Sequence, residues 1–279
     1  MPPLLAERRT DLVEWMDRKD CDPERLRNTY RAFPQINRWV ARWPALYRRR
    51  IRPALRAVAG EERGLEGCER GRPIRLLDVG SGGGDLARDL QRWGRRDGFR
   101  LEVTGIDPDP RALAYARSAI DAEPGPVVTF RQARASDLVA AGERFHVVVS
   151  NHVLHHLPAE EVPGFLADLE ALASHRVVVS DIERSTVGYA LFSALAALPP
   201  FRDSYIRADG LLSIRRSFTR RELEAQVPPG WRVEASPPFR LVVLRDVGAR
   251  DGAPRDGALR DGARRDGAPR ERGRQAGDG

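Results

Sequence analysis

The middle of the chain alternates short runs of β-branched and apolar residues with longer segments in which apolar residues recur at helical spacing. The short runs are typical of buried strands, and the longer segments are typical of helices that pack on a sheet. Strands are predicted at 74–79, 101–107, 127–132, 145–150 and 176–181, and helices at about 85–95, 110–120 and 159–173. Because this alternation is typical of βαβ units, the pattern predicts an α/β fold with a parallel sheet.

Two further strand-like runs, at 231–235 and 239–245, follow this repeat and are separated by the sequence Ser-Pro-Pro. A helix is predicted to begin near Thr219, because Thr219 and Glu222 have the spacing of a capping box. Five β/α repeats that end in a helix and a hairpin favour a Rossmann-like sheet, mostly parallel with a C-terminal antiparallel hairpin. A two-halved dinucleotide-binding fold fits this order of elements less well.

The two ends of the chain differ from this repeat. Residues 4–58 predict helices, with Asp22 as a helix cap, and their apolar positions predict packing against the sheet domain. Contact of the segment 42–52 with an anionic membrane surface remains an alternative, because arginines and aromatic residues are interleaved there. Residues 248–279 repeat Arg-Asp-Gly-Ala with almost no large apolar residue, and this composition predicts disorder.

The net charge of the chain is only weak evidence for a polyanionic binding partner. The chain has 47 basic and 40 acidic residues, a net charge of +7, which by itself favours a polyanionic partner. Lys19 is the only lysine, so the excess is almost entirely arginine, as GC-rich coding produces. Solvated arginine faces are the commoner explanation of such charge, and a nucleic-acid partner is therefore disfavoured.

The cysteines and the N-terminus indicate a cytoplasmic protein. Cys21 and Cys68 have neither metal-ligand spacing nor the pattern of a disulfide framework, which favours a reducing compartment. Charge appears at Glu7 before any apolar core of signal-peptide length, and no apolar stretch reaches 18 residues. The sequence therefore predicts no transmembrane segment and no metal site, and it leaves the oligomeric state open.

A glycine-rich turn connects the first predicted strand of the sheet to the helix that follows it. The residues of this turn that we expect to contact a ligand are Asp78, Gly80, Ser81, Gly82 and Gly84. Glycines there let the backbone come close to a ligand that a Cβ atom would hold away. A tight strand-to-helix connection explains the same glycines without any ligand.

Polar residues also end the next three strands. Asp107 lies 107 − 78 = 29 residues after Asp78 and is followed by Pro108. A carboxylate at that place can accept from both hydroxyls of a ribose, although a cap for the following helix is the alternative. Asp137 follows the third strand, where an acid accepts from an adenine amino group, and Asn151 ends the fourth. We therefore predict that these four residues bind a nucleoside-containing cofactor together with the glycine-rich turn.

Two adjacent histidines, His155 and His156, follow the fourth strand, and Asp181 ends the fifth. The strand ends of open α/β sheets open onto the ligand crevice, so these side chains are candidates for contact with a substrate. Histidines that merely cover the edge of the sheet are the alternative.

These motifs resemble class I methyltransferases that depend on S-adenosylmethionine (SAM), of the small-molecule type similar to ubiquinone and menaquinone biosynthesis enzymes. The resemblance rests on residues 77–84, 106–107 and 151–157 and extends over about 72–245. It implies SAM as the cofactor and one histidine of the pair, His155 or His156, as the partner of Asp181 in acid/base catalysis. Residues 183–218 also resemble methyltransferases encoded beside bacterial type III polyketide synthases.

The resulting functional hypothesis is methyl transfer to a small hydrophobic acceptor, with the oxygen of a phenol, quinol or polyketide preferred. A phenol has a pKa of about 10, so a histidine base assists at neutral pH, His155 first and His156 second. Alternatives are an RNA methyltransferase, a non-methylating SAM-binding protein and a nicotinamide oxidoreductase. Asn151 is followed by His152, so the Asn-Pro-Pro-aromatic run of amino-group methylases is missing.

The predicted organisation has four parts. These are a helical N-terminal extension or lid at 1–59, a linker at 60–72, a methyltransferase domain at 73–247 and a disordered tail at 248–279. Within the domain, residues 182–218 form an insert whose apolar helix at 187–198 is placed to roof the acceptor pocket and exclude water.

Overall fold

The sheet has seven strands among the described residues, in the order β3-β2-β1-β4-β5-β7-β6. They are β1 (Ile74–Val79), β2 (Leu101–Asp107), β3 (Val128–Gln132), β4 (Phe145–Asn151), β5 (Ala173–Ile182), β6 (Arg232–Ser236) and β7 (Arg240–Asp246). The first five strands pair in parallel, whereas β7 is antiparallel to both β5 and β6. The predicted mostly parallel sheet with a C-terminal antiparallel hairpin is confirmed.

These elements are those of a computed structural model, which describes residues 5–64, 72–121, 128–198 and 201–248. Most of the predicted linker, with Cys68, lies outside the described residues, and so does the predicted tail after Gly248. None of the helices in the described part of the chain has the length and apolar character needed to cross a membrane.

Ten α-helices occur in the described ranges. They are α1 (Pro23–Gln35), α2 (Trp43–Leu46), α3 (Arg52–Gly64), α4 (Asp85–Arg96), α5 (Pro110–Asp121), α6 (Ala135–Ala140), α7 (Val162–Leu172), α8 (Thr186–Leu195), α9 (Ile206–Arg216) and α10 (Arg220–Glu224). The predicted caps are present: the Asp22 carboxylate accepts from the first amides of α1, and Thr219 and Glu222 form the capping box of α10.

The helices on both faces of the sheet explain why its strands are apolar on both sides. Leu77 and Val148 belong to the core that includes Leu166 of α7, whereas Leu76 and Val147 belong to the core on the other face. Strands buried on both faces appear in a sequence as nearly continuous apolar runs. This is the reason that their bounds were predicted to within a few residues.

The helices after α1 complete one of these two cores. Trp43 and Leu55 are fully buried and belong to the same apolar cluster as Leu76 of β1. Tyr47 is also buried, and its hydroxyl donates to Asp97 Oδ2 at 2.9 Å. The alternative that the aromatic residues of 42–52 face a membrane is therefore wrong, because their rings pack inside the protein.

Residues 5–21, the N-terminal strap, form turns and not the predicted helix. The strap is held by groups far away in the sequence: Asp209 of α9 accepts from the backbone amides of Trp15 and Met16 at 2.7 and 2.9 Å. The amide of Arg9 donates to the carbonyl of Arg215 at 3.0 Å. Because these partners satisfy strap amides, the segment does not need intrahelical hydrogen bonds.

Candidate functional site

A cavity of about 620 Å³ lies at the carboxyl ends of β1, β2 and β4. Open α/β sheets bind ligands at this edge. Polar residues from the strand ends and from the glycine-rich turn line one part of the cavity, and apolar residues of α1, α8 and α9 line another. One space therefore joins the predicted cofactor region to the predicted acceptor region.

The glycine-rich turn forms one wall through Gly80 and Gly82. Their φ angles are 71° and 50°, in the left-handed region that residues with a Cβ atom rarely adopt. Gly84 also has a positive φ, of 74°, but it does not line the cavity. A Cβ atom on Gly84 would lie 2.2 Å from Cζ of Phe130, so this glycine permits close packing, and its contact with a ligand stays a prediction.

Two polar side chains beside this turn have unmet hydrogen-bonding capacity. Both carboxylate oxygens of Asp78 and the hydroxyl of Ser81 are buried without a hydrogen-bond partner in the described part of the chain. Burial, and then the charges of Asp85 and Asp107, raise the pKa of Asp78 well above its ordinary value. A buried carboxylate without partners is costly, and a ligand that brings a cationic donor removes that cost.

Asp107 lies at the predicted position and also stabilises the turn. Its Oδ2 accepts from the amide of Gly82 and its Oδ1 from the amide of Asp109, each at 2.9 Å. Asp107 lines the cavity, as Pro108 and Asn151 do. The carboxylate thus connects the glycine-rich turn to the segment before α5, and its part in binding a ribose stays a prediction.

The structure places Asp137 away from the site. Its side chain is exposed, does not line the cavity, and accepts from the amide of Arg134 at 2.8 Å in the capping box of α6. The interpretation of Asp137 as an adenine contact is corrected for a physical reason. The helix begins only three residues after β3, and its first amides need an acceptor.

His155 is 2% exposed and lies between two buried carboxylates. Its Nδ1 is 2.7 Å from Asp181 Oδ1, and its Nε2 is 3.4 Å from Glu14 Oε1. Burial alone would lower the pKa of His155, but these two carboxylates outweigh burial and raise the pKa to about 9. His155 is therefore an imidazolium at neutral pH in this arrangement, which is not the protonation state of the general base expected from the sequence.

Glu14 is a site residue for which the sequence offered no signal. It lies on the N-terminal strap, is 3% exposed, and its Oε1 accepts from Ser213 Oγ of α9 at 2.7 Å. Burial opposes its ionisation, but His155, His156 and Ser213 more than compensate and lower the pKa of Glu14 to about 2. An acid in a segment without a motif was not distinguishable from a surface charge.

His156 is more accessible than His155 and also lines the cavity. Its side chain is 31% exposed, compared with 1% for the side chain of His155. Its Nδ1 is 3.3 Å from Asp17 Oδ2, whereas its Nε2 is 3.9 Å from Glu14 Oε2, beyond hydrogen-bonding distance. This arrangement makes His156 the better placed of the two histidines to accept a proton.

A hydrogen-bonded chain of polar side chains supports the floor of the cavity. Arg240 of β7 donates to Asn151 Oδ1 at 2.8 Å, and Asn151 Nδ2 donates to Asn37 Oδ1 at 2.8 Å. Asn37 Nδ2 in turn donates to Asp85 Oδ2 at 2.7 Å. Arg240 also lies 2.7 Å from His152 Nε2, and burial together with Arg240 holds the pKa of His152 well below its ordinary value. His152 is thus neutral and accepts from the guanidinium.

The apolar part of the cavity comes mainly from the predicted insert. Its lining residues in α8 and α9 are Gly188, Leu191, Phe192, Leu195, Ile206, Gly210 and Ile214. Phe33, Ile36 and Val40 add apolar surface from the N-terminal helical region. The insert therefore contributes apolar lining to the cavity, and its role as the roof of an acceptor pocket stays a prediction.

Replacing Glu14 by glutamine is expected to lower the pKa of His155 from about 9 toward its ordinary value, because one of its two carboxylate partners loses its charge. Nuclear magnetic resonance of the imidazole protons, followed from about pH 5 to about pH 10, measures this change. Glu160→Gln is the matched control, since Glu160 is exposed in the turn after the histidines. An unchanged titration of His155 in Glu14→Gln would contradict the assigned contact.

The contact between His155 and Glu14 is also expected to make the free energy of unfolding depend on pH. The folded pKa of His155, about 9, lies above the unfolded value of about 6.5. Stabilisation by protonated His155 is therefore complete below the unfolded value and is lost as pH rises through about 9. Chemical denaturation at neutral and alkaline pH is expected to show a larger loss in the wild type than in Glu14→Gln. Equal losses would show that the pair does not contribute.

The family comparison places a known domain on this part of the structure. Residues 76–190 match the family described as a methyltransferase domain. This segment is similar to the methyltransferase domains of that family. It contains the glycine-rich turn, Asp107, the histidine pair and Asp181. Glu14, Asn37 and Arg240 lie outside it, so the cavity is completed by parts of the chain that the family match does not cover.

Curated relatives support the same classification over a similar length. A ubiquinone biosynthesis O-methyltransferase from Azorhizobium caulinodans is 35% identical over 120 residues, which are 42% of this chain and 44% of that protein. The enzyme of the same name from Cereibacter sphaeroides is 34% identical over 119 residues, 42% of this chain and 45% of that one. The matches thus span less than half the length of these relatives.

Solved structures of methyltransferases are similar to the chain over a larger share of its length. The plantazolicin methyltransferase, solved in complex with a desmethyl analogue and SAH, covers 79% of this chain and 96% of its own, with 13% identity and a TM-score of 0.49. Magnesium protoporphyrin IX methyltransferase from Synechocystis with bound SAH covers 78% of this chain and 99% of its own, with 18% identity and a TM-score of 0.40.

Proposed function

We propose that this protein transfers a methyl group from SAM to an oxygen of a small hydrophobic acceptor, a phenol, a quinol or a related polyketide. The observation that carries the proposal is one continuous cavity of about 620 Å³. It joins a glycine-rich turn to a cluster of histidines and carboxylates under an apolar roof, and the carboxylate of Asp78 at that turn has no hydrogen-bond partner among the described residues.

SAM fits the polar half of the cavity. Asp78 and Ser81 need partners for three buried oxygens, and SAM carries an ammonium group that donates to such oxygens. Gly82 has open space where a Cβ atom would lie and so leaves room for close approach, and Asp107 offers a carboxylate to the ribose hydroxyls. The cofactor supplies a methyl group activated on a sulfonium. The names of the curated relatives, ubiquinone biosynthesis O-methyltransferases, support an oxygen acceptor.

The apolar half favours an acceptor with a hydrophobic body. Leu191, Phe192 and Ile214 offer it apolar surface, and each methylene buried there contributes about 0.8 kcal/mol. His155 and His156 line the same cavity, so the polar end of the acceptor has a place beside them. Alignment of the acceptor oxygen in this cavity supplies much of the rate enhancement.

The proton of the acceptor hydroxyl requires a base, and we assign that part to His156. His156 lines the cavity, and its Nε2 lies 3.9 Å from Glu14 Oε2, too far for a hydrogen bond, so in this proposal Nε2 takes the proton as the O–H bond breaks. Asp181 and Glu14 hold His155 as a cation beside this place. A fixed positive charge there favours the developing negative charge on the oxygen. His155 and Asp181 thus act in this proposal by orientation and electrostatics.

An RNA acceptor is the competing proposal, because the chain carries a net charge of +7. The two proposals predict a different dependence of acceptor binding on salt concentration. Binding of RNA through arginines releases counterions and weakens steeply as salt rises, whereas a phenol held by apolar contacts is insensitive to moderate salt.

A methyl-transfer assay with labelled SAM is expected to label phenols, with KM falling about fourfold for each methylene added to an alkyl side chain, up to the length that the roof covers. The series is run beside total RNA at two salt concentrations. Label in RNA with none in any phenol would exclude the small-molecule proposal. Equal KM values along the series would show that the apolar roof does not contribute to acceptor binding, and they would not contradict methyl transfer itself.

A further inference from the structure

The outward face of α8 is apolar although it is exposed. Val187 is 60% exposed, Leu191 59%, Leu195 40% and Leu198, just after the helix, 50%. The alanines between them on this face are exposed as well, and the sequence of α8 contains no charged residue. A surface helix normally places polar residues outward. The apolar composition of this face is therefore typical of a surface that binds another molecule or a membrane.

Trp39 extends this face at the mouth of the cavity. Its side chain is 70% exposed, and it lines the cavity together with Leu191 and Leu195. The docking face, defined as Trp39, Val187, Leu191, Leu195 and Leu198, is thus continuous with the entrance that a hydrophobic acceptor would use. Tryptophan is enriched where proteins meet the interface between lipid and water, because one end of its ring system is apolar and the other polar.

Arginines flank the docking face at both ends. Arg38 stacks on the ring of Trp39 with its guanidinium 5.2 Å from the ring centroid, and Arg42, three residues after Trp39, is exposed. At the other end, Arg202 and Arg207 line a surface groove with Ala196, which directly follows α8. Next to α8 and to these arginines in the sequence, the acids that are not buried are Glu183 and Asp203, compared with the four exposed arginines.

This distribution favours an anionic lipid surface over a second copy of the chain. In a two-fold symmetric dimer the same patch meets itself, which would bring each set of arginines toward like charges across the contact. Anionic headgroups complement the arginines while the acyl region receives the leucines and Trp39. The ten residues of α8 rise only about 15 Å, half of a bilayer's hydrocarbon core, so the helix would lie in the interface.

We infer that the docking face binds this protein to membranes rich in anionic lipid and thereby opens the mouth of the cavity toward the bilayer. The inference explains why the exposed apolar face and the apolar roof belong to the same helix. It depends on the proposed function only for the lipophilic nature of the acceptor. Binding to vesicles is measured without any methyl transfer, so failure of one proposal is distinguishable from failure of the other.

The test is co-sedimentation of the full chain with vesicles of phosphatidylcholine alone or mixed with phosphatidylglycerol. We expect binding to the mixed vesicles, weaker binding to phosphatidylcholine alone, and at least a tenfold loss of affinity in the double variant Val187→Glu with Leu198→Glu. Neither residue lines the cavity, so methylation of a water-soluble phenol should be retained. Arg38→Gln with Arg202→Gln should lower binding to the mixed vesicles by roughly fivefold per arginine.

The control Ala114→Glu with Thr129→Glu adds the same charge at two exposed positions elsewhere, on α5 and β3, and should bind like the wild type. Absence of wild-type binding to the mixed vesicles would overturn the inference. An equal loss in the control would do so too, because charge alone would then explain it. A dimer in light scattering that Val187→Glu with Leu198→Glu dissociates would assign the face to a second copy and also refute the lipid proposal.

Discussion

Replacing His156 by alanine is expected to lower turnover by about 10²-fold or more while SAM affinity stays nearly unchanged, since losing a general base slows the chemical step and not binding. His156 lines the cavity with a side chain that is 31% exposed, and its replacement removes the contact with Asp17 but leaves His155 between Asp181 and Glu14. Turnover at saturating acceptor, together with calorimetric binding of SAM, measures the two quantities separately.

His175→Ala is the matched control for this variant. His175 contacts Glu61 at 2.9 Å and does not line the cavity, so turnover should be retained. His155→Ala is expected to behave differently from both, because it leaves Asp181 and Glu14 as buried carboxylates without their cation. That change typically destabilises a protein by about 3–5 kcal/mol. Normal turnover in His156→Ala would show that the acceptor proton leaves by another route.

Replacing Asp107 by alanine is expected to weaken SAM binding by about 1–3 kcal/mol, which corresponds to roughly 5- to 150-fold in Kd. The variant removes the carboxylate proposed for the ribose, and it also removes the acceptor for the amides of Gly82 and Asp109. Isothermal calorimetry with SAM gives the affinity, and thermal unfolding of the free protein reports the loss of the turn contacts separately.

Asp137→Ala is the informative comparison for Asp107→Ala. The sequence assigned both carboxylates to the cofactor, but only Asp107 lines the cavity, while Asp137 caps α6. The Kd for SAM should therefore be unchanged in Asp137→Ala, even if the helix loses its cap. Equal effects of the two variants, or wild-type affinity in Asp107→Ala, would refute the assignment of the ribose to Asp107.

The arrangement around Glu14 connects binding to the position of the N-terminal strap. Glu14, Met16 and Asp17 all line the cavity, and Asp209 holds the strap through the amides of Trp15 and Met16. Because the Glu14 carboxylate contributes to the charge of His155, seating of the strap and protonation of the buried histidine are energetically linked.

Local patterns in the sequence were sufficient to predict the strands and most of the helix caps. The bounds of β1 and β2 were predicted without error, because apolar runs between turn signals are set by burial on both faces. The cap at Asp22 and the capping box at Thr219 were also correct, since a cap depends only on neighbouring residues. The prediction from local sequence was wrong at Asp137. A helix begins soon after the strand ends there, and Asp137 caps that helix instead of contacting the cofactor.

The sequence by itself determined the sheet, the glycine-rich turn and the positions of Asp107 and the histidine pair, because each depends on periodicity or on the end of a strand. Only the tertiary structure decided the chemistry of that pair. The carboxylate of Glu14 reaches His155 across 155 − 14 = 141 residues, and Asn37 and Arg240 reach Asn151 from opposite ends of the chain. A pKa depends on burial and on the charges that folding brings near, so no local pattern contains it.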